Sequence, residues 1–352
     1  MPVPIETPAV LVDIEIAKRN IRTFQAYADA HGIRVRPHIK THKLPQMAEL
    51  QLDAGAVGIT CQKVTEAEAM VDGSERITDV LITYNILGKP KLERLERLNQ
   101  RIGLAVVADN ETVIDGLSGH FADKEKPLRV FVECNTGADR CGVGSPVEAA
   151  RLAKRINDAK GIDFAGLMTY PPIGGETKVQ AFMSEARRLI EADGIAVPSI
   201  TSGGTPSMMH AAGAPIATEY RPGTYIYNDR SLVSRGVATW EDCALTVLAT
   251  VVSVPSEHRA IIDAGSKVLT ADLLGLTGYG HVLGRDDIRI DQLSEEHGRL
   301  VSDGPIGLTV GQQLRIVPNH ACVVTNMVDA VHIVEGDEPK AIWPIVARGH
   351  VL

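Results

Sequence analysis

The sequence predicts an α/β fold: a (β/α)8 barrel of the TIM type followed by a mostly β C-terminal domain. Three observations carry that expectation. At 352 residues the chain is long enough for a barrel of about 250 residues plus a second domain. Through the first two thirds, short runs rich in Val, Ile and small residues alternate with longer charged stretches of helical spacing. Beyond about residue 235, strand-like runs continue without long helices between them.

The elements follow in order. A short strand at 8–13 leads into an amphipathic helix at 14–31. Eight strand candidates come next, at 33–38, 56–62, 79–85, 102–109, 128–135, 162–170, 198–203 and 216–221. Helix candidates between them include 45–54, 65–72, 91–99, 146–160, 177–192 and 206–212. Ser145-Pro146 opens the fourth of these and Gly161 closes it. Alternation of this kind implies parallel pairing through right-handed crossovers, and eight units close a barrel. A doubly wound open sheet would show a glycine-rich fingerprint after its first strand, and none is present. Strands at 244–254, 259–264, 313–317, 331–335 and 341–347 make the β domain. The expected division is a barrel over 10–235 and a β domain over 236–352, with residues 1–9 joining the latter.

Composition narrows the function. A formal charge of −8 argues against nucleic acid as a partner. The longest largely apolar run, 243–255, is too short to span a membrane, and residues 1–13 lack a signal-peptide pattern. Five scattered cysteines make a poor disulfide framework and fit a reducing compartment. A cytoplasmic enzyme acting on a small molecule is the expectation.

Catalytic groups of such barrels stand at the C-terminal ends of strands. The first barrel strand runs into Arg36-Pro37-His38-Ile39-Lys40-Thr41-His42-Lys43, a basic cluster in an acidic chain. Neighbouring cations lower a lysine pKa, and a neutral amine is what Schiff-base chemistry needs; a solvent-facing basic loop is the bland alternative. The seventh strand ends in Thr201-Ser202-Gly203-Gly204-Thr205-Pro206, where bare backbone, hydroxyls and a following helix N-terminus suit a phosphate. The eighth ends in Glu219-Tyr220-Arg221-Pro222-Gly223-Thr224. In Pro318-Asn319-His320-Ala321-Cys322, an extended backbone would put His320 and Cys322 on one face, and imidazole with thiolate favours Zn²⁺.

The segment Arg36–Lys43 resembles the cofactor-lysine segment of the D-threonine aldolase and D-serine dehydratase family, pyridoxal-phosphate enzymes distantly related to alanine racemase. The resemblance implies that Lys40 bears pyridoxal 5'-phosphate as a Schiff base, and that a barrel is followed by a β domain. It implies phosphate contacts from Ser202, Gly203, Gly204, Thr205, Gly223 and Thr224. Arg221 is expected near the pyridine nitrogen. Thr136-Gly137-Ala138-Asp139-Arg140-Cys141-Gly142 is similar to a family turn that sets Arg140 beside the ring's phenolic oxygen. His320-Ala321-Cys322 stands where the dehydratases have His-x-Cys and the aldolases His-x-Asp, a divalent metal site (Zn or Mn) that grips the substrate 3-hydroxyl. After the sixth strand the family's Tyr-His-Gly segment becomes Tyr170-Pro171-Pro172. Tyr170 is kept, and the proton-transferring histidine must be replaced by Lys40, His42, a metal-held water or another histidine such as His297.

The expected activity is therefore a lyase on D-3-hydroxy amino acids. Aldol cleavage to glycine and an aldehyde is preferred on the chain's compact length. Cys322 supports the alternative, dehydration of D-serine or D-3-hydroxyaspartate to a 2-oxo acid and ammonia. An amino-acid racemase or a pyridoxal-phosphate carrier are further alternatives. The resemblance also implies a homodimer.

Overall fold

The structure, a computed structural model, describes residues 5–352; of the N-terminal segment expected to join the β domain, residues 1–4 lie outside the described residues. The chain forms two compact units. One comprises residues up to Ile21, Thr41–Leu44 and Thr224–Gly349; the other comprises Arg22–Lys40, Pro45–Gly223 and His350–Leu352.

The chain opens with strand β1 (Ala9–Asp13), buried throughout, and helix α1 (Ile14–Ala30). Asp13 starts the helix, its Oδ1 accepting from the amides of Glu15 and Ile16. The barrel strands are β2 (Arg34–Val35), β3 (Ile59–Cys61), β4 (Asp79–Ile82), β5 (Gly103–Ala108), β6 (Leu128–Cys134), β7 (Ile162–Thr169), β8 (Ile200–Ser202) and β9 (Glu219–Tyr220). Each overlaps one of the eight sequence candidates. All pair in parallel in the order β2-β9-β8-β7-β6-β5-β4-β3. A parallel bridge from His38 to Thr60 and a hydrogen bond from Val57 N to Val35 O join β2 back to β3, closing the barrel.

Helices α2 (Pro45–Asp53), α3 (Val64–Gly73), α4 (Lys89–Arg101), α5 (Glu111–Phe121), α6 (Pro146–Asp158) and α7 (Glu176–Ala192) lie between the strands. Their apolar stripes and the outward strand residues form one large core cluster. Ser145 caps α6 by accepting from Glu148 N, with Pro146 in the first turn, as its sequence signal predicts. Gly161 follows that helix at φ +74°, where a Cβ would lie 2.2 Å from the Phe121 backbone, so the turn into β7 requires glycine. The segment at 206–212 is a 3₁₀ helix, Thr205–Gly213, rather than an α-helix.

Inside the barrel Leu81, Ala105, Val107, Phe131 and Met168 pack together. Near the strand starts Arg36 bonds Glu219 at 3.0 Å and also Asp79, which Arg129 meets at 2.9 Å. Of this cluster Arg36 and Glu219 are buried while Asp79 and Arg129 are partly exposed; the buried pair adds little net stability over an apolar core but is costly to break singly.

In the other unit the strands are β10 (Leu245–Ser256), β11 (Arg259–Ile262), β12 (His281–Val282), β13 (Ile288–Leu293), β14 (Gly298–Ser302), β15 (Gln313–Val317), β16 (Ala330–Glu335) and β17 (Glu338–Pro344). Together with β1 they make a sheet ordered β13-β14-β11-β10-β1-β16-β17, with β15 on β10 and β12. The β13–β14 hairpin is absent from the sequence reading; its turn carries His297, exposed, with its carbonyl accepting from Ser294 N. Short helices α8 (Arg230–Val233), α9 (Ser266–Leu269) and α10 (Ala321–Met327) interrupt the strands. The last of these corrects an expectation: His320 and Cys322 stand at the start of a helix, not on an extended segment.

Candidate active site

In the barrel unit the predicted residues gather at the C-terminal strand ends. Lys40 follows β2 in a one-turn 3₁₀ helix, Ile39–Thr41, half-buried. Its amide donates to His38 Nδ1 at 3.3 Å, and His38 Nε2 lies 3.2 Å from Gln62 Oε1. Cis-acting turns of this kind fix where the lysine leaves the backbone and let its stem point from the strand end.

After β8, Ser202 and Thr205 are buried and flank Gly203 and Gly204. Gly203 has φ +110°, and a Cβ there would lie 2.5 Å from the ring of Tyr220; one on Gly204 would lie 3.0 Å from the ring of Tyr170. Two tyrosine rings thus face a bare backbone strip, and the Tyr220 hydroxyl donates to Gly204 O at 3.0 Å. Tyr220 was not singled out by sequence, although it sits inside the quoted eighth-strand segment. Gly223 N donates to Thr205 Oγ1 at 3.1 Å, so its amide braces the strip's hydroxyl.

Arg221 is buried, donating to Thr201 Oγ1 at 2.6 Å and Thr169 O at 2.7 Å. Burial pulls its pKa down to about 10 against the pull of Glu219 and Glu133. Arg140 lies over the Tyr170 ring with 4.6 Å from guanidinium carbon to centroid. Glu133, 4% exposed at the end of β6, is pushed by burial up to about 7, with Arg140 opposing and Asp109 reinforcing. Asp109, Glu133 and Cys141 form the one cluster of three ligand-type groups found among the described residues. Asp109 is taken up there by Asn85, Asn110 and the amide of Gly142.

In the β unit, His320 is the N-cap residue of α10 and Cys322 lies in its first turn. The two side chains hydrogen-bond each other. Around the sulfur stand the hydroxyls of Thr41 at 3.1 Å and Thr224 at 3.6 Å. On the far side His320 Nδ1 meets Asp272 Oδ2 at 2.7 Å. Burial opposes charge on His320, but Cys322, Asp272 and Asp229 outweigh it and raise its pKa to about 9. The start of α10 is capped from a distance: Asp229, fully buried, accepts from Ala321 N at 3.1 Å while also capping α8 through Leu232 N. Asp229 and Asp272 carry no local signal, since both act across the fold.

His42 is fully buried, its Nδ1 accepting from Leu44 N at 3.1 Å, with Tyr227 edge-on 6.4 Å between centroids. In a neutral ring the proton then sits on Nε2, so His42 donates rather than accepts there. Tyr227 is buried, and among the described residues its hydroxyl has no hydrogen-bond partner. Lys43 is drawn to Asn326 Oδ1 at 2.9 Å and Ala347 O at 3.2 Å. The basic look of Arg36–Lys43 therefore resolves into side chains with separate tasks.

A primary amine, a hydroxyl-flanked glycine strip, and arginines at neighbouring strand ends fit a phosphorylated aromatic aldehyde. An imidazole and a thiol with hydroxyls beside the sulfur fit a divalent cation of borderline softness. Among the described residues no third His, Cys, Asp or Glu forms a three-ligand group with that pair.

The chain resembles known proteins along most of its length. Residues 12–231 match the family model described as alanine racemase, N-terminal domain, and residues 244–334 match the putative serine dehydratase domain. A D-threonine aldolase of Arthrobacter sp is 33% identical over 98% of this chain and 93% of its own. A D-threo-3-hydroxyaspartate dehydratase of Delftia sp. (strain HT23) is 28% identical over 96% of this chain and 97% of its own. The crystal structure of D-threonine aldolase from Filomicrobium marinum superposes with a TM-score of 0.92 at 32% identity, covering 100% of both chains.

Proposed function

The chain belongs to the D-threonine aldolase and D-serine dehydratase family, with its alanine racemase-type barrel, and from that premise we propose a pyridoxal 5'-phosphate- and divalent-metal-dependent aldolase cleaving D-3-hydroxy amino acids to glycine and an aldehyde. The observation that carries this reading is the His320–Cys322 pair with the hydroxyls of Thr41 and Thr224 at its sulfur. A two-ligand cation site suits an enzyme whose substrate brings a hydroxyl of its own. Pyridoxal phosphate, when bound, supplies an electron sink for the pair left on the substrate α-carbon, and the metal supplies Lewis acidity.

The chain's own residues do the rest. Lys40 offers the amine that anchors the cofactor. Ser202, Gly203, Gly204 and Thr205 offer hydroxyls and backbone amides to the phosphate at the start of the 3₁₀ helix; Thr224 turns its hydroxyl to Cys322, which leaves its amide for the phosphate. Arg221, held by Thr201 and Thr169, keeps a fixed donor in the barrel, and Arg140 with Tyr170 forms a flat cationic wall. With His42 presenting a proton on Nε2, the base falls to Lys40. The cofactor role lies in the barrel, 10–235, and the cation role in the β domain, 236–352. Among the described residues no helix is long and apolar enough to cross a membrane. The five scattered cysteines support a reducing, cytoplasmic compartment, and the family resemblance supports a homodimer, which equilibrium sedimentation at twice the chain mass would bear out.

A second reading, dehydration to a 2-oxo acid and ammonia, is favoured by one observation: the ligand is Cys322 within a segment matching the serine dehydratase domain. Product analysis of the Zn²⁺- or Mn²⁺-supplemented protein with D-threonine separates them. Glycine with acetaldehyde supports the aldolase, whereas 2-oxobutyrate with ammonia replaces it by the dehydratase.

A further inference from the structure

His320 reaches its position with a partner that comes from 48 residues upstream. Asp272 divides its two oxygens: Oδ2 takes the His320 Nδ1–H at 2.7 Å and Oδ1 takes the Leu274 amide at 3.2 Å. The backbone around it is forced. Thr270 and Leu274 both adopt left-handed conformations, φ +65° and +45°, and a β-branched residue there costs on the order of 1–3 kcal/mol. A second device clamps the same loop. Asn319, buried and adjacent to His320 in sequence, donates to Gly278 O at 2.8 Å and to Asp272 O at 3.4 Å. Its Oδ1 accepts from Arg230, which itself reaches Gly278 O. The residue before the imidazole therefore holds the loop that delivers the imidazole's partner.

A half-exposed His–Asp contact on a free loop would be worth little and would not justify two strained residues and a buried clamp. We propose that Asp272 is the positioning residue of the cation site: its carboxylate holds the proton of His320 on Nδ1, sets the ring plane, and leaves Nε2 as the ligating atom. The inference rests on the reading of His320 and Cys322 as a cation pair. A neutral imidazole with its proton fixed on one nitrogen presents a lone pair on the other, and a carboxylate behind it makes the ring a stronger ligand.

The test uses the full chain with Co²⁺ as the probe, following the thiolate-to-cobalt charge-transfer band in competition with a chelator. The unaltered protein is expected to show the band and His320→Ala to lose it. Asp272→Asn should bind Co²⁺ about 10–100-fold more weakly, with cofactor content and melting temperature unchanged. Asp272→Glu, which keeps the carboxylate, should recover most of the affinity. Above about pH 9, where the His320 ring is neutral, histidine-selective ¹⁵N NMR of the metal-free protein should show His320 protonated on Nδ1 in the unaltered protein and mixed tautomers in Asp272→Asn, a change that a merely structural tether would not produce. Equal affinity and an unchanged tautomer in Asp272→Asn would overturn the role of Asp272 alone. Absence of the cobalt–thiolate band from the unaltered protein would overturn the cation pair and the inference together.

Discussion

The strand-end residues of the barrel and the His320–Cys322 pair of the β unit are built by different means. Lys40, Tyr170, Ser202–Thr205 and Arg221 stand at the ends of β2, β7, β8 and β9, where the periodic alternation of the chain puts them. The pair instead opens a seven-residue helix whose first amide is capped by Asp229 and whose imidazole is steered by Asp272, 92 and 48 residues away. On the proposed reading, the cofactor residues are addressed by position along the chain, and the cation pair by long-range polar contacts.

The contrast makes separable demands. Lys40→Ala should lower lyase turnover by at least about 10³-fold and remove the visible band of lysine-bound cofactor, while Co²⁺ still binds His320 and Cys322. A borohydride-reducible adduct surviving in that variant would place the cofactor on another lysine. Cys322→Ala should do the reverse, losing metal and roughly 10²–10³-fold in kcat with the cofactor band intact; full activity in chelator would dissolve the distinction.

Gly203→Ala probes the barrel side further. The new Cβ meets the Tyr220 ring at 2.5 Å on a φ of +110°, so a loss of about 2–4 kcal/mol in stability and weaker phosphate binding are expected. Denaturant melts and cofactor titration read both, and wild-type stability would mean the ring yields freely.

The smallest effect concerns Glu133. Its folded pKa of about 7 exceeds its ordinary 4.5 because of burial, so the native state holds this proton longer than the unfolded chain. The associated stability is full below about pH 4.5 and is lost as pH rises through about 7. Glu133→Gln should remove that decline, gaining on the order of 1–2 kcal/mol relative to the parent above neutrality. Parallel stability curves for the two proteins across that range would show that Glu133 ionises without penalty.

What the sequence by itself determined is the architecture and the strand-end placement of the candidate cofactor residues. Eight short apolar runs spaced by helical stretches leave one closure, and Ser145-Pro146 and Gly161 mark their joins by chemistry local to a few residues. The strand-end placement of Lys40, Ser202, Gly203, Gly204 and Thr205 was legible for the same reason, since a strand end is a place that periodicity locates. The β13–β14 hairpin and α10 were not. Cys322-Val323-Val324-Thr325 has β-branched residues that read as strand, and His320 is a poor N-cap, so nothing local announces a helix.

Only the tertiary structure decided that helix, because Asp229 supplies its missing cap through space. It likewise decided that Gly203 serves the ring of Tyr220, that Gly223 braces Thr205, that Lys43 turns to Asn326, and that Asp272 backs His320. The physical reason is range. Propensity, capping and alternation are interactions among near neighbours and are written in the local sequence, whereas a hydrogen bond between residues tens of positions apart exists only once the chain has brought them together.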